Sequence, residues 1–169
     1  IAYIKILKQM GGNILVKKVG KLSGESIGNI KVKYSNLKSI VINKKLAPYL
    51  IYEYPILAIA ASRAKGITKM QGLSELRYKE SDRLKSIHKN LIASKIDSSI
   101  RNDDLIIRGS HEQMIGNNKI TTYHDHRIAM SFSILNLICK KPLRIDNLKC
   151  IEISYPKFNQ DLKSILING

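Results

Sequence analysis

The chain has 169 residues, 44% hydrophobic and 25% charged, which suits one soluble, globular domain large enough for a core of its own. No run approaches the ~18 apolar residues that cross a bilayer, which argues against a membrane-spanning helix. The net charge of +16 is spread without a block of ~5–6 basic residues, and no Trp with two Phe makes a poor base-stacking platform, so the charge points away from nucleic acid and toward phosphorylated, carboxylated metabolites.

Ile1 opens the chain in place of Met, which fits a sequence that begins inside a longer one, or is processed or trimmed. Residues 1–10 carry Lys5 and Lys8 and no small-residue cleavage site, unlike a secretory signal. They predict the end of a helix with Ile4, Leu7 and Ile6 toward a core, stopped by Gly11-Gly12. Strands are expected at Ile14–Val16, at Ile30–Tyr34 with its apolar–polar alternation, and at Ile40–Ile42. After Pro48 a helix is expected over about Glu53–Lys65. Pro55 lies in its first turn, where a missing N–H costs nothing, and Ile56, Leu57, Ile59, Ala60 and Ala64 form its apolar side.

Gly66 ends that helix, and a short strand follows at Ile67–Met70. A second helix is predicted at about Ser81–Ser94, with Leu84, Ile87, Leu91 and Ile92 at helical spacing. Strands at Ile96–Ile100 and Leu105–Arg108 flank the turn signal Asn102-Asp103-Asp104. A third helix spans about Asp125–Ile138, with Ile128, Phe132, Leu135 and Cys139 on one side. A strand at Leu143–Ile145 and a last helix from about Pro156 complete the chain. Cys139 and Cys150 are too few for a disulfide framework and read as small buried or half-buried thiols in a reducing compartment, which points to the cytoplasm. The helices ending at Met10 and Ser94 are each followed by two strands, which predicts a repeated α/β unit of roughly 40–55 residues.

Two segments stand apart from ordinary core or surface. Leu76–Leu84, LRYKESDRL, packs Arg77, Lys79, Glu80, Asp82 and Arg83 where a loop gives way to a helix, with Ser81 as the expected N-cap. A helix start favours an anion, and Glu80 and Arg83 share one side of its first turn. A solvated, charge-paired helix start is the alternative. Thr122–Phe132, TYHDHRIAMSF, sets His124, Asp125, His126 and Arg127 before an apolar helix. No Cys or third His stands at ligand spacing, so a metal site is not expected. Asp125 reads as an N-cap. Arg127 in the first turn opposes the helix dipole, which suits a fork for phosphate or carboxylate.

Both segments resemble signature stretches of the EPSP synthases (5-enolpyruvylshikimate-3-phosphate synthases). LRYKESDRL is similar to the family's R-V-K-E-[ST]-D-R-L, with Tyr78 in the valine place, and YHDHRIAMSF to D-H-R-[IM]-A-M-x-F. GITKMQGLSE and APYLIYEYPILAIAA (47–61) follow the family pattern too, and the resemblance runs from the helix ending at Met10 to the Tyr155-Pro156 helix start. The related UDP-GlcNAc enolpyruvyl transferases share the fold but lack these strings.

The resemblance implies an α/β (α+β) fold of the inside-out enolpyruvyl transferase type, built from βαβαββ repeats with helices inside and sheets outside. Residues 1–169 would be most of the C-terminal domain, with the first repeat truncated. It implies transfer of the enolpyruvyl group of phosphoenolpyruvate to the 5-hydroxyl of shikimate 3-phosphate, with no metal or organic cofactor. By resemblance Lys79 lies near shikimate 3-phosphate, Glu80 is the acid/base glutamate, and Arg83 and Arg127 clamp phosphoenolpyruvate. The site would be shared with an N-terminal domain supplied in cis or in trans, and the chain alone is expected to have no useful turnover.

Two positions depart from the pattern. The family has Asp-Glu-Tyr-Pro, or a close variant, where this chain has Tyr52-Glu53-Tyr54-Pro55. That aspartate binds the shikimate ring and acts as base toward the attacking hydroxyl. Tyr52, bulkier and with a phenol pKa near ~10, stands in this catalytic place. Ile153 falls where some members carry a phosphate-binding lysine. A decayed or non-catalytic fragment of the enzyme is therefore the alternative reading, and a basic nucleic-acid-binding module a more distant one.

Overall fold

The computed structural model describes residues 2–168. Helix α1 (Ala2–Gln9) buries Ile4 and Ile6, while Leu7 is only half-buried. Gly11, at φ 91°, takes the left-handed backbone that ends the turn. Strands β1 (Asn13–Leu22) and β2 (Glu25–Lys33) then form an antiparallel hairpin longer than the apolar triplets predict. The alternation in β2 does not mark a buried face: Ile30 is 51% and Val32 65% exposed.

From β3 (Val41–Ile42) the chain passes through a 3-10 turn and the short α2 (Ala47–Leu50) into α3 (Tyr54–Ser62). It continues through β4 (Gly66–Met70), α4 (Arg83–Ala93), β5 (Ser98–Arg101) and β6 (Asp104–Gly109). These strands make one sheet in the order β3-β4-β6-β5, with β3 and β4 parallel and the other pairs antiparallel. This is a complete βαβαββ unit over residues 41–109, longer than the repeat read from the sequence. The earlier α1–β1–β2 reproduces its closing α–β–β half. That half is what the sequence reading caught.

Beyond it lie β7 (Met114–Gly116), β8 (Lys119–Ile120), α5 (His126–Asn136), β9 (Cys139–Lys141), β10 (Arg144–Ile145) and α6 (Phe158–Asn168). β7 pairs with β9 and β8 with β10, both in parallel across α5. Helices α3, α4 and α5 pack on one another, and strands β5, β6, β8 and β10 lie against them from outside. The expected helices-inside arrangement is present.

Helix α3 is buried on most sides, with Tyr54, Leu57, Ala58 and Ala61 at i, i+3, i+4 and i+7 and Pro55, Ile59 and Ser62 besides. Small Ala58 and Ala61 suit the close contact with α5. Ile56 and, on α4, Ile92 were expected in the core and are exposed instead. Leu84, Ile87, Leu91, Phe132 and Leu135 fill the space between helices, each burial contributing about 1.5–3 kcal/mol. Cys139 opens β9 rather than closing α5, because the helix ends at Asn136.

Tyr54 is fully buried, and its hydroxyl has no hydrogen-bond partner among the described residues. Burial pushes its phenol up to about 12, so the fold favours the neutral form. Its contribution is present in full below the ordinary phenol value of 10.0 and is lost as pH rises toward about 12. Tyr54→Phe is expected to leave stability at pH 7 unchanged or higher, because no bond is lost, and to soften the alkaline decline. Urea denaturation of both proteins at neutral and alkaline pH checks this. A clear loss in Tyr54→Phe at pH 7 would mean that the hydroxyl is bonded after all.

Candidate active site

The site grows from one carboxylate. Ahead of α5 the backbone takes two successive left-handed residues, Tyr123 (φ 53°) and His124 (φ 58°), a costly conformation for residues other than glycine. Asp125 follows as N-cap, its Oδ1 accepting from the backbone N–H of Arg127 (2.9 Å) and Ile128 (3.4 Å). The same carboxylate receives Arg83 Nε on Oδ2 (2.7 Å), Arg83 Nη2 on Oδ1 (3.3 Å) and Ser81 Oγ on Oδ2 (3.0 Å). Asp125 and Arg83 are both fully buried. A buried ion pair repays its desolvation only when its remaining bonds are satisfied, and Asp125 accepts five hydrogen bonds here.

Ser81 is therefore not the cap of α4. Asp82 is, accepting from Lys85 N at 3.0 Å, and Ser81 turns to Asp125 instead. Arg77 keeps its Nη1 3.6 Å from Asp82 Oδ2 and also reaches beyond the cluster. It bonds Asp103 Oδ1 and the Asn102 carbonyl, each at 3.0 Å, and fastens the segment before α4 to the β5–β6 turn.

Arg83 keeps an open end. Its Nη2 donates to Glu80 at 2.6 Å, while Nη1 is buried without a partner among the described residues. Native structures rarely leave a buried donor unsatisfied, so Nη1 marks a place for an anion. Glu80, the other end of that ion pair, is 46% exposed and faces the opening.

Arg127 donates from Nη1 to the Tyr52 carbonyl at 3.0 Å, and its guanidinium carbon lies 4.8 Å from the centre of the Tyr52 ring. Lys79 Nζ is 5.4 Å from the same ring centre. The residues singled out in the sequence thus meet as two touching groups, Glu80–Arg83–Asp125 and Lys79–Tyr52–Arg127. Between them they join the N-terminal ends of α3, α4 and α5. Helix N-termini carry unpaired N–H groups and a partial positive charge, so their convergence favours anions.

A shallow hollow of about 300 Å³ opens beside Glu80, Ser81 and Tyr123. A larger one of about 430 Å³ lies at the other ends of α3 and α4, by Arg63 and Lys95. Helix C-termini present carbonyls there, and Arg63 is already spent on the His111 and Glu112 carbonyls at 2.7 and 2.5 Å. The smaller hollow lies at the helix N-termini beside Glu80, but Lys79, Arg83, Arg127 and Tyr52 do not line it. His124 Nδ1 faces Asn147 Nδ2 at 3.0 Å, and His126 opens α5.

The family model for EPSP synthase (3-phosphoshikimate 1-carboxyvinyltransferase) matches residues 1–162. The chain belongs to the EPSP synthase family. It is 41% identical over 162 residues to the 3-phosphoshikimate 1-carboxyvinyltransferase of Petrotoga mobilis, covering 96% of this chain and 37% of that protein. A solved EPSP synthase from Acinetobacter baumannii superimposes with a TM-score of 0.87 at 37% identity, over 93% of this chain and 37% of that one. The enolpyruvyl transferase NikO from Streptomyces tendae shares the fold alone, with a TM-score of 0.63 at 14% identity over 96% of this chain and 34% of that one. The chain spans little more than a third of the length of the curated relatives it matches.

Within an EPSP synthase scaffold the geometry alters one expectation from sequence. Arg83 and Arg127 were read as two open forks, but Arg83 has Nε and Nη2 committed to Asp125 and Glu80 and offers Nη1 alone. The linking roles of Asp125 and Ser81 were missed. The only sequence signal was a carboxylate and a hydroxyl inside the two signature strings. Asp125→Ala, which strands Arg83 buried without its main counter-charge, is expected to cost about 3–5 kcal/mol. Ser81→Ala, removing one donor of five, should cost about 1 kcal/mol. Urea denaturation of the two variants checks the difference; equal, small losses would show that Asp125 is no hub.

Proposed function

We propose that this chain is most of the C-terminal domain of an enolpyruvyl transferase and contributes half of its active site. The reaction joins phosphoenolpyruvate to the 5-hydroxyl of shikimate 3-phosphate and releases phosphate. The observation that carries this reading is the buried Arg83 with its unpartnered Nη1, set with Arg127 and Lys79 where three helix N-termini meet. Family membership supports it.

In this reading Arg83 Nη1 and the Arg127 guanidinium hold the phosphoenolpyruvate anion, and Lys79 lies toward shikimate 3-phosphate. Fixing a small trianion against rigid donors orients its reactive carbons at little further entropic cost. The 5-hydroxyl oxygen attacks C2 of phosphoenolpyruvate and gives up its proton to a base at the Tyr52 position or on the opposing domain, while C3 takes a proton from Glu80. The tetrahedral intermediate then expels phosphate as a proton leaves C3, restoring the double bond. Glu80 suits both proton steps, being half-exposed and held 2.6 Å from Arg83 Nη2. A second domain, in cis or in trans, supplies the opposing wall. The reading places the chain among soluble enzymes of the cytoplasm; no described helix is long and apolar enough to cross a membrane.

Tyr52 favours a second reading, in which substrates bind but turnover is lost. A neutral phenol is a poor base for the attacking hydroxyl, and loss of a general base costs about 10²–10⁴-fold. Both readings are tested by phosphate release from phosphoenolpyruvate and shikimate 3-phosphate, with the chain co-expressed beside the N-terminal half of a related EPSP synthase. Tyr52→Asp is expected to raise the rate by about 10²–10⁴-fold, and Arg127→Lys in that background to lower it at least ~10-fold, since an ammonium cannot replace a bidentate fork. Silence of the folded Tyr52→Asp pair would contradict the active-site assignment. Turnover by the chain alone would contradict the need for a second domain.

A further inference from the structure

We infer that Asp146 is a positioning residue of this site: from the loop after β10 it grips the buried Thr122, and so holds the strained turn that presents Asp125, Arg83 and Arg127. The inference rests on the reading of that cluster as an anion site.

Two consecutive left-handed residues, Tyr123 and His124, persist only where the surroundings leave the backbone no alternative. The bonds on either side of the pair supply that constraint. Ahead of it, the side chain of Asn90 on α4 closes two bonds on the backbone of Thr121. Its Nδ2 donates to the Thr121 carbonyl and its Oδ1 accepts the Thr121 N–H, both at 2.9 Å. Thr122 is fully buried, and Asp146 Oδ1 accepts both its donors, the backbone N–H at 3.0 Å and the hydroxyl at 2.8 Å. The Thr122 carbonyl accepts the Asp125 N–H at 3.0 Å, which closes the turn over Tyr123 and His124. Asn147 presents Nδ2 to His124 Nδ1 at 3.0 Å, so the same loop reaches the pair from its other end.

Asp146 is itself placed by the sheet. Ile145 pairs with Ile120, and the Asp146 N–H donates to the Ile120 carbonyl at 3.1 Å. The ladder thus runs directly into the Thr122 bonds. Asp146 is exposed, and its carboxylate makes no ion pair among the described residues. Two donors of one buried residue fixed on a single oxygen mark a geometric task rather than a charge pairing. The influence of Asp146 on Arg83 and Arg127 therefore runs through the backbone of 122–125. Released from it, the turn relaxes toward ordinary backbone angles. Asp125 then shifts against Arg83, and Arg127, two residues on, shifts against Tyr52. A displacement of ~1 Å in groups that hold a ligand can cost ~10²-fold.

The test uses the full 169-residue chain with isotope-labelled Arg side chains, and phosphoenolpyruvate as the probe. The Arg83 Nε–H, buried and bonded to Asp125, should be protected from exchange with water in the parent. In Asp146→Ala that protection should fall at least ~10-fold, and the probe should bind at least ~10-fold more weakly. Asp146→Asn keeps an oxygen that accepts both bonds and drops the charge, so both readouts should stay within ~2-fold of the parent. Thr122→Val removes the hydroxyl bond alone and should weaken both by ~2–5-fold; it carries the test if Asp146→Ala does not fold. Core methyl resonances matching the parent's establish that each variant is folded. Lower thermal stability in Asp146→Ala or Thr122→Val, with Arg83 protection and probe binding unchanged, would show a purely structural role and overturn the inference. A loss in Asp146→Asn as large as in Asp146→Ala would also overturn it, since charge and not geometry would then be what matters. If the parent binds the probe and the variants bind it equally well, only the inference fails. If the parent shows no response to the probe, the reading of this cluster as an anion site fails and the inference falls with it.

Discussion

The carboxylate of Asp125 accepts hydrogen bonds from the first turn of its own helix and from Arg83 at the start of α4, and so fixes two helix ends to each other inside the protein. Its position follows from the strained pair Tyr123 and His124, which turns the chain so that the cap points inward. Once Asp125 is fixed, Arg83 has one orientation open to it. Its Nε and Nη2 are taken, and Nη1 is left buried without a partner among the described residues. Arg127, two residues after Asp125, is carried against Tyr52 at the head of α3.

The inside-out layering makes this arrangement possible. With helices in the middle and strands outside, the ends of α3, α4 and α5 can approach one another. The N-terminal ends gather the cations and the positive ends of three helix dipoles, and the opposite ends gather carbonyls. One architecture therefore gathers Lys79, Arg83 and Arg127 at one pole and leaves a larger hollow, by Arg63 and Lys95, at the other. The same logic explains why Arg127 tolerates a dipole that opposes it. Its guanidinium folds onto the Tyr52 ring and carbonyl, whose negative faces offset the penalty.

Much of this was legible in the chain itself. Gly66, Pro55 and the apolar spacing of Leu84, Ile87 and Leu91 located α3, α4 and β4 to within a few residues, because local backbone preference and one-sided burial both leave periodic marks. Lys79, Glu80, Arg83 and Arg127 stood out as charges crowded at helix starts. Strand β10 was read at Leu143–Ile145, but β7, β8 and β9, of two or three residues each, carried no such mark, since their register is set by parallel pairing across α5. Ile30 and Val32 show the converse: alternation encodes an apolar face, not what covers it. The bond from Ser81 to Asp125 joins residues in two different loops, which no local pattern records. The partnership of Tyr52 with two cations was invisible for the same reason. The sequence showed only that a base was replaced.

The central claim is that this buried pair and three helix N-termini build an anion site with one donor of Arg83 held open. A crystal structure of the chain grown with phosphoenolpyruvate tests it most directly. The expected result is the ligand's phosphate or carboxylate within hydrogen-bonding distance of Arg83 Nη1 and the Arg127 guanidinium, with the Asp125 bonds intact. An ordered structure at saturating ligand in which Arg83 Nη1 is bonded to another protein group, and the ligand lies elsewhere, would contradict it.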